Sequence, residues 1–309
     1  MRAVDVICIG HAAYDLVFSV PHHPGPDEKC TATGLIACGG GPAANASVTV
    51  SRLGCRAAFA GYLGRDLYGE AHRRELIQDG VDDNWICRGD SPTPLSTILV
   101  KPDGRRALVN YRGATRPLAA DAVDLSGLDA KVVLFDGHEP HVSCHWLPHF
   151  RDRGAATVLD AGSLHEGTRR LMFEVDYLIA SRKFAAQWLG CDEPRRALEE
   201  LAAKSPAAVI TLGEEGLIWQ RGNEYGEMSV FPVDAVDTTG AGDTFHGAFA
   251  VAVTEGVPWA DALRFASAAA ALCCTQMGAR PGIPGREAVK AFCREIQIEE
   301  NRGGSAESL

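Results

Sequence analysis

The chain has 309 residues, 46% of them hydrophobic, enough for one large α/β core with a minor appendage or for two small domains. Forty acidic residues against 30 Lys and Arg leave a formal charge of −10, which would repel a phosphate backbone or an anionic membrane, and no basic run offsets it. Neither nucleic acid nor a membrane is therefore expected as a partner.

Ten cysteines are scattered without a Cys-x-x-Cys pair, and Cys8, Cys273 and Cys274 lie inside apolar segments, as free thiols do in a reducing compartment. The longest apolar stretch, 265–274, is too short to span a bilayer, and the first apolar run is interrupted by Asp5, so a cytoplasmic protein without signal peptide or membrane span is expected.

Residues 4–9 are apolar apart from Asp5 and end at Gly10, the pattern of a buried strand. Residues 43–53 read as a helix, with Pro42 near its first turn and Gly54 past its end, and 57–63 as the next strand. Apolar runs recur at 132–135, 156–159, 177–180 and 208–212, separated by helix-length segments such as 195–204. That alternation predicts an α/β fold with a parallel sheet covered by helices on both faces.

Two stretches break the rhythm. Residues 14–38 are rich in Pro and His, and in 95–112 Pro102-Asp103-Gly104 separates two β-rich runs as a hairpin turn would. Each is too short to stand alone, so together they are expected to form a small β-sheet lid, about 12–38 and 93–114 of a single 1–300 domain. Residues 245–255 and 259–277 read as helices closed by Gly256 and Gly278, and 301–309 as a polar, flexible tail.

The run Asp237-Thr238-Thr239-Gly240-Ala241-Gly242-Asp243-Thr244 leads straight into an apolar helix. Small residues at a helix N-terminus expose amide groups that have no intrahelical partner and can hold the charge of a transferring phosphoryl group. A carboxylate at the same point, Asp243, is placed to take a proton from an attacking hydroxyl. The bland reading is a helix cap and a turn.

The same run, followed by Gly247-Ala248-Phe249, resembles the signature of the ribokinase-like, or phosphofructokinase B, carbohydrate kinase family. The resemblance extends to Gly39-Gly40-Gly41-Pro42-Ala43-Ala44-Asn45, Leu53-Gly54 and the 61–69 segment, so it covers essentially the whole chain. It implies a ribokinase-like three-layer sandwich with a mainly parallel sheet and a β-sheet lid, and an ATP-dependent sugar kinase. It makes Asp243 the base and the backbone of Gly240, Ala241 and Gly242 the anion hole. It assigns sugar hydroxyls to Asp15, Gly40, Gly41 and Asn45, and the nucleotide to Thr211, Gly213, Gly216 and Ser181. Positions matching a monovalent cation site are Asp237, Thr239, Cys273 and Gly278, so K+ joins Mg2+ and ATP among the implied cofactors. Two departures stand out: Gly282 replaces a hydroxyl ligand of the cation site, and Ser181-Arg182-Lys183-Phe184 replaces an Asn-x-x-Glu motif that supports magnesium.

Within that family the chain resembles the sulfofructose kinases at 39–44, Phe245-His246-Gly247-Ala248, Arg264-Phe265-Ala266-Ser267, Cys274-Thr275 and Gly282-Ile283-Pro284. That likeness implies an acidic ketose as substrate, its sulfonate met by Lys29 and Asn110, with His138 in place of an arginine and Arg112 as compensation. The alternatives are a neutral-sugar kinase such as a fructokinase or ribokinase, or a non-catalytic sugar- and nucleotide-binding sensor. Relatives that dimerise through their lids imply a homodimer here.

Rival motifs are weaker. Gly39-x-Gly41-x-x-Ala44 fits a dinucleotide fingerprint but lacks the ribose-binding acid, and none of the six lysines follows a glycine as a Walker loop requires. His138, His141, Cys144, His145 and His149 have zinc-binding chemistry; the expected arrangement is His138 in the cleft and the others along a helix.

Overall fold

The computed structural model describes residues 2–304, and their side chains as far as residue 296. The strands are β1 (Arg2–Ile9), β2 (Ala13–Ser19), β3 (Gly34–Gly40), β4 (Ala57–Gly64), β5 (Asp82–Gly89), β6 (Leu95–Val100), β7 (Arg106–Tyr111), β8 (Leu128–Phe135), β9 (Ala156–Ala161), β10 (Tyr177–Ser181), β11 (Ala207–Thr211), β12 (Leu217–Arg221) and β13 (Glu224–Met228). The helices are α1 (Pro42–Arg52), α2 (Leu67–Gln78), α3 (Pro140–Arg151), α4 (Glu166–Leu171), α5 (Arg182–Leu189), α6 (Pro194–Ala202), α7 (Ala241–Thr254), α8 (Trp259–Cys273), α9 (Ala279–Gly282) and α10 (Arg286–Gly304).

Nine strands form the main sheet in the order β13-β12-β11-β10-β9-β8-β1-β4-β5. It is parallel from β11 to β5, with β12 and β13 antiparallel at one edge. The unbroken apolar run of β1 follows from this position: Val6 and Cys8 pack on one face with Phe249 of α7, while Ile7 and Ile9 pack on the other with Phe150 of α3 and Phe184 of α5. Each fully buried side chain of this size contributes about 1.5–3 kcal/mol relative to exposure. Helices on both faces make the three layers, and none among the described residues is long and apolar enough to cross a membrane.

The segments expected to form a lid build a second, four-stranded sheet in the order β3-β2-β6-β7. The β6–β7 pair is a hairpin turning at Lys101 to Arg105, and β2 joins β6 in parallel. Register aligns Cys38, Asp15, Ser96 and Asn110 in one row across all four strands.

Two boundaries differ from the sequence-based expectation. Helix α8 stops at Cys273 rather than continuing to 277, because the Cys274 carbonyl accepts hydrogen bonds from Val236 and Asp237 and is tied into the loop before α7. The expected tail from 301 begins inside α10, which runs to Gly304; its remainder, 305–309, lies outside the described residues.

Candidate active site

Three glycines seat α1 against the lid sheet. A Cβ on Gly40 would lie 2.0 Å from Asp15 Oδ2, and one on Gly41, at φ +94°, 2.7 Å from Ala12 Cα and His11 O. A Cβ on Gly39 would lie 2.4 Å from the His72 ring. Only glycine lets β3 end this close to β2, and the closeness buries Asp15 to 4% exposure. Burial pushes its carboxyl up to about 7. Pro42 opens α1, and one turn in, Asn45 Nδ2 donates to Asp243 Oδ2 at 2.8 Å.

Asp243 reaches that bond from the first turn of α7. Gly240, at φ +81°, caps the helix where a Cβ would meet that of Ala279 at 2.5 Å. The Ala241 amide makes only a long bond, 3.4 Å, to Thr238 O, and the position of a Gly242 Cβ has open space around it. A ligand can therefore approach this helix start closely. Burial raises the Asp243 carboxyl above the usual range, and the Asn45 amide and His246 oppose that rise. Behind it, His246 Nδ1 lies 3.4 Å from Asp160 Oδ2 and 2.6 Å from Gly242 O.

These elements enclose a cavity of about 330 Å³ whose lining includes Asp15, Asn45, Asn110, Arg112, His138 and Asp243. Its far end carries Arg112 and a cluster of imidazoles. The His138 ring stacks on His165 with centroids 4.5 Å apart and tilts against His11 at 5.2 Å. Asp136 orders this end from below: its carboxylate accepts from the amides of His11 (2.7 Å), Ala43 (3.2 Å) and His138 (2.8 Å). Burial, the neighbouring imidazole of His138 and Arg112 hold His11 down to about 3 and His165 to about 4.

Asp15, Gly41, Asn45, Asn110, Arg112, His138, Thr239 and Asp243 thus line one cavity, with Gly40 packed under Asp15. Lys29 does not join them. It lies in the loop after β2, beside a separate hollow lined by Phe18, Thr97 and Leu99, on the face of the lid sheet opposite Asp15, Ser96 and Asn110. Strand alternation separates the two faces, so the expected role of Lys29 at the same site is corrected.

The positions read as nucleotide-binding gather elsewhere, along the ends of β10 and β11. Ser181 pairs in register with Thr211, its hydroxyl donates to Gly162 O (2.9 Å) and caps α5 by accepting from Phe184 N (3.0 Å), and Thr211 Oγ1 bonds Ala180 O. Gly213 and Gly216 bound the short turn leading to β12, where Gly216 takes φ +88° against Met228 O. Phe184, where the family motif has glutamate, is fully buried in the core.

Asp237, Thr239, Cys273 and Gly278 also come together, but their polar groups are taken up by one another. Asp237 Oδ1 accepts from Thr239 N and Oγ1, and Oδ2 accepts from Gly278 N. The Cys273 thiol faces the carbonyls of Thr239 and Ala279 at 3.8 Å, and a Cβ on Gly282 would sit 2.4 Å from Cys273 O. Of the histidine cluster, His138 lines the cavity, while His141, Cys144, His145 and His149 ride on α3. Sequence reasoning missed His11, Asp136, Asp160, His246 and Arg280. His246 lay inside a quoted motif, whereas His11, Asp136 and Asp160 are brought in by distant strand ends and Arg280 by α9, so none has a local signature.

A model of the pfkB family of carbohydrate kinases matches residues 3–286. A Lactococcus lactis ribokinase is 28% identical over 298 residues, covering 95% of this chain and 98% of its own. A Methanothermobacter thermautotrophicus nucleoside kinase is 28% identical over 308 residues, covering 96% and 97%. The crystal structure of Thermotoga maritima ribokinase superposes with a TM-score of 0.82 at 28% identity, over 94% of this chain and 99% of that one. Arabidopsis thaliana ribokinase, solved with ribose and ATP, gives 0.81 at 25% identity over 94% and 99%. With the family model spanning both sheets and both halves of the cavity, this chain belongs to the pfkB family and is a carbohydrate kinase of ribokinase-like fold.

Proposed function

We propose that the enzyme transfers the γ-phosphoryl group of ATP to a hydroxyl of a sugar or sugar derivative held between the main sheet and the lid sheet. The observation that carries this reading is Asp243, a raised carboxyl at an open helix start, facing a polar cavity and held by Asn45. Asp15 and Asn110 accept and donate to sugar hydroxyls, Asp243 withdraws the proton from the attacking one, and the amides of Gly240 to Gly242 receive the charge that builds on the phosphoryl oxygens. The nucleotide lies along the ends of β10 and β11, by Ser181, Thr211, Gly213 and Gly216. Magnesium, which usually keeps water and only one or two protein carboxylates, neutralises phosphate oxygens when bound. Asp160, beside His246 and near Asp243, is the carboxylate that fits this need, since Phe184 is buried where the motif's glutamate would stand. The positions implied for a monovalent cation, Asp237, Thr239, Cys273 and Gly278, gather beside the start of α7, where both Asp237 carboxylate oxygens accept hydrogen bonds within the loop.

The end of the cavity that holds the Arg112 guanidinium favours an acidic substituent such as a phosphate, sulfonate or carboxylate over a neutral one. Arg112 follows β7, which carries Asn110, and His11 and His138 line the same cavity as hydrogen-bonding partners. We also propose a homodimer through the lids, whose outer faces expose Leu35 (58%) and Val109 (68%).

ADP release with Mg-ATP across fructose 6-phosphate, sulfofructose, fructose, ribose and nucleosides tests the reading, with Asp243→Asn beside the wild type. One acceptor should stand far above the rest, and the variant should turn it over roughly 100-fold or more slowly at similar affinity. Near-normal turnover in that variant removes Asp243 as base. Arg112→Ala and His138→Ala should lower kcat/KM for the acidic acceptor more than for fructose, and Lys29→Ala should change neither. Equal losses for both classes restore the neutral-sugar reading, and ATP binding without any turnover points to the sensor.

A further inference from the structure

We propose that Arg280 is a positioning residue for the base: it holds the Asn45 amide so that Nδ2, and not Oδ1, faces the Asp243 carboxylate. The inference rests on Asp243 as base.

The two ends of an asparagine amide are nearly identical in shape, so only hydrogen bonding decides which faces a neighbour. A carboxylate accepts and a guanidinium only donates. Arg280 Nε donates to Asn45 Oδ1 at 3.3 Å, and Asn45 Nδ2 donates to Asp243 Oδ2 at 2.8 Å, which makes one chain from Arg280 through Asn45 to Asp243. A flipped amide would oppose donor to donor at one end and acceptor to acceptor at the other.

The guanidinium is buried with only weak charge compensation. Arg280 is 4% exposed, yet its Nη1 has no hydrogen-bond partner and lies 3.9 Å from both Glu75 Oε2 and Asp79 Oδ2. A buried cation with such distant counter-ions is costly, and an apolar side chain would often serve stability as well. Its Nη2 meets His72 Nε2 at 3.1 Å; since the guanidinium donates, that nitrogen accepts and the His72 proton resides on Nδ1. Gly39 makes the room, for a Cβ there would also lie 2.9 Å from Arg280 Nη2.

The test measures kcat and KM with Mg-ATP and each acceptor above for wild type, Arg280→Lys, Asn45→Ala and the double variant. Lysine keeps a cation beside Glu75 and Asp79, so the protein should fold. Because misplaced groups can cost two orders of magnitude, Arg280→Lys is expected to lower kcat on the order of 10- to 100-fold, with the ATP KM within about twofold. In the Asn45→Ala background the same change should lower kcat no further. Equal losses in both backgrounds, or a lower Tm with wild-type kcat, overturn the proposal. Near-normal turnover in Asp243→Asn defeats the base assignment instead, whatever Arg280 does. If no acceptor is phosphorylated, the Asn45 side-chain amide in 15N NMR decides: a move to the free-amide position in Arg280→Lys supports the relay, and an unchanged resonance overturns it.

Discussion

Asp15, proposed to hold sugar hydroxyls, also carries a stability cost. Its carboxyl sits under Gly40 in a buried row of the lid sheet, and burial pushes it up to about 7, against about 3.9 in an unfolded chain. Between those values the folded state holds a proton that the unfolded state has released. The stability from this group is therefore full below about pH 4 and lost as pH rises through about 7. His11 and His165 act in the opposite sense: held at about 3 and about 4, they stay neutral while the unfolded imidazoles protonate, so they add stability as pH rises toward about 6.5. A wild-type scan mixes these trends. Asp15→Asn isolates one: its Tm relative to wild type should climb between about pH 5 and pH 8, and a difference independent of pH would place the Asp15 carboxyl in its ordinary range.

At the scale of elements, the site depends on how closely α1 and α7 approach. Asn45 and Asp243 sit on different helices, and the helices meet at Gly247, where a Cβ would lie 2.7 Å from Ala46 O and from Thr49 Cβ. Gly247→Ala should cost about 1–3 kcal/mol through overpacking and also lower kcat, because it widens the gap that the Asn45 to Asp243 bond spans. Thermal melts and steady-state kinetics check this together; a fall in Tm with unchanged kcat would mean that the two helices yield without moving the site. Both helices were legible in sequence, through Pro42, Gly54 and Gly256 and the apolar spacing between them. The end of α8 was not, since apolar residues continue past Cys273 and only the tertiary bonds from Val236 and Asp237 to Cys274 O stop it. Lys29 was misread for a related reason: its charge is visible in sequence, but the sheet face that its loop follows is set by pairing with a distant hairpin.

Across the whole molecule the lid sheet meets the loop before α7, where the chemistry is expected. Arg106, at the start of β7, reaches Thr238 Oγ1 in the loop before α7, and the Gly104 turn sits against Ala235 and Val236. This contact links the lid to the start of α7, the proposed anion hole. Arg106→Ala should raise the acceptor KM by roughly 10-fold while leaving Tm nearly unchanged, because the contact is exposed and contributes little to folding. An unchanged KM would show that the lid closes without it. The sequence by itself determined the layers, the lid segments, the helix start at Gly240 to Asp243 and the glycine run at 39–41, because apolar periodicity, turn residues and compact motifs are local signals. The tertiary structure alone decided which residues share the cavity. His11, Asp136 and His138 meet because β1 and β8 are neighbours in the sheet, and Arg280 meets Asn45 across 235 positions of chain. Such meetings depend on strand order and helix packing, which are set by burial summed over the whole chain and leave no mark on the residues themselves.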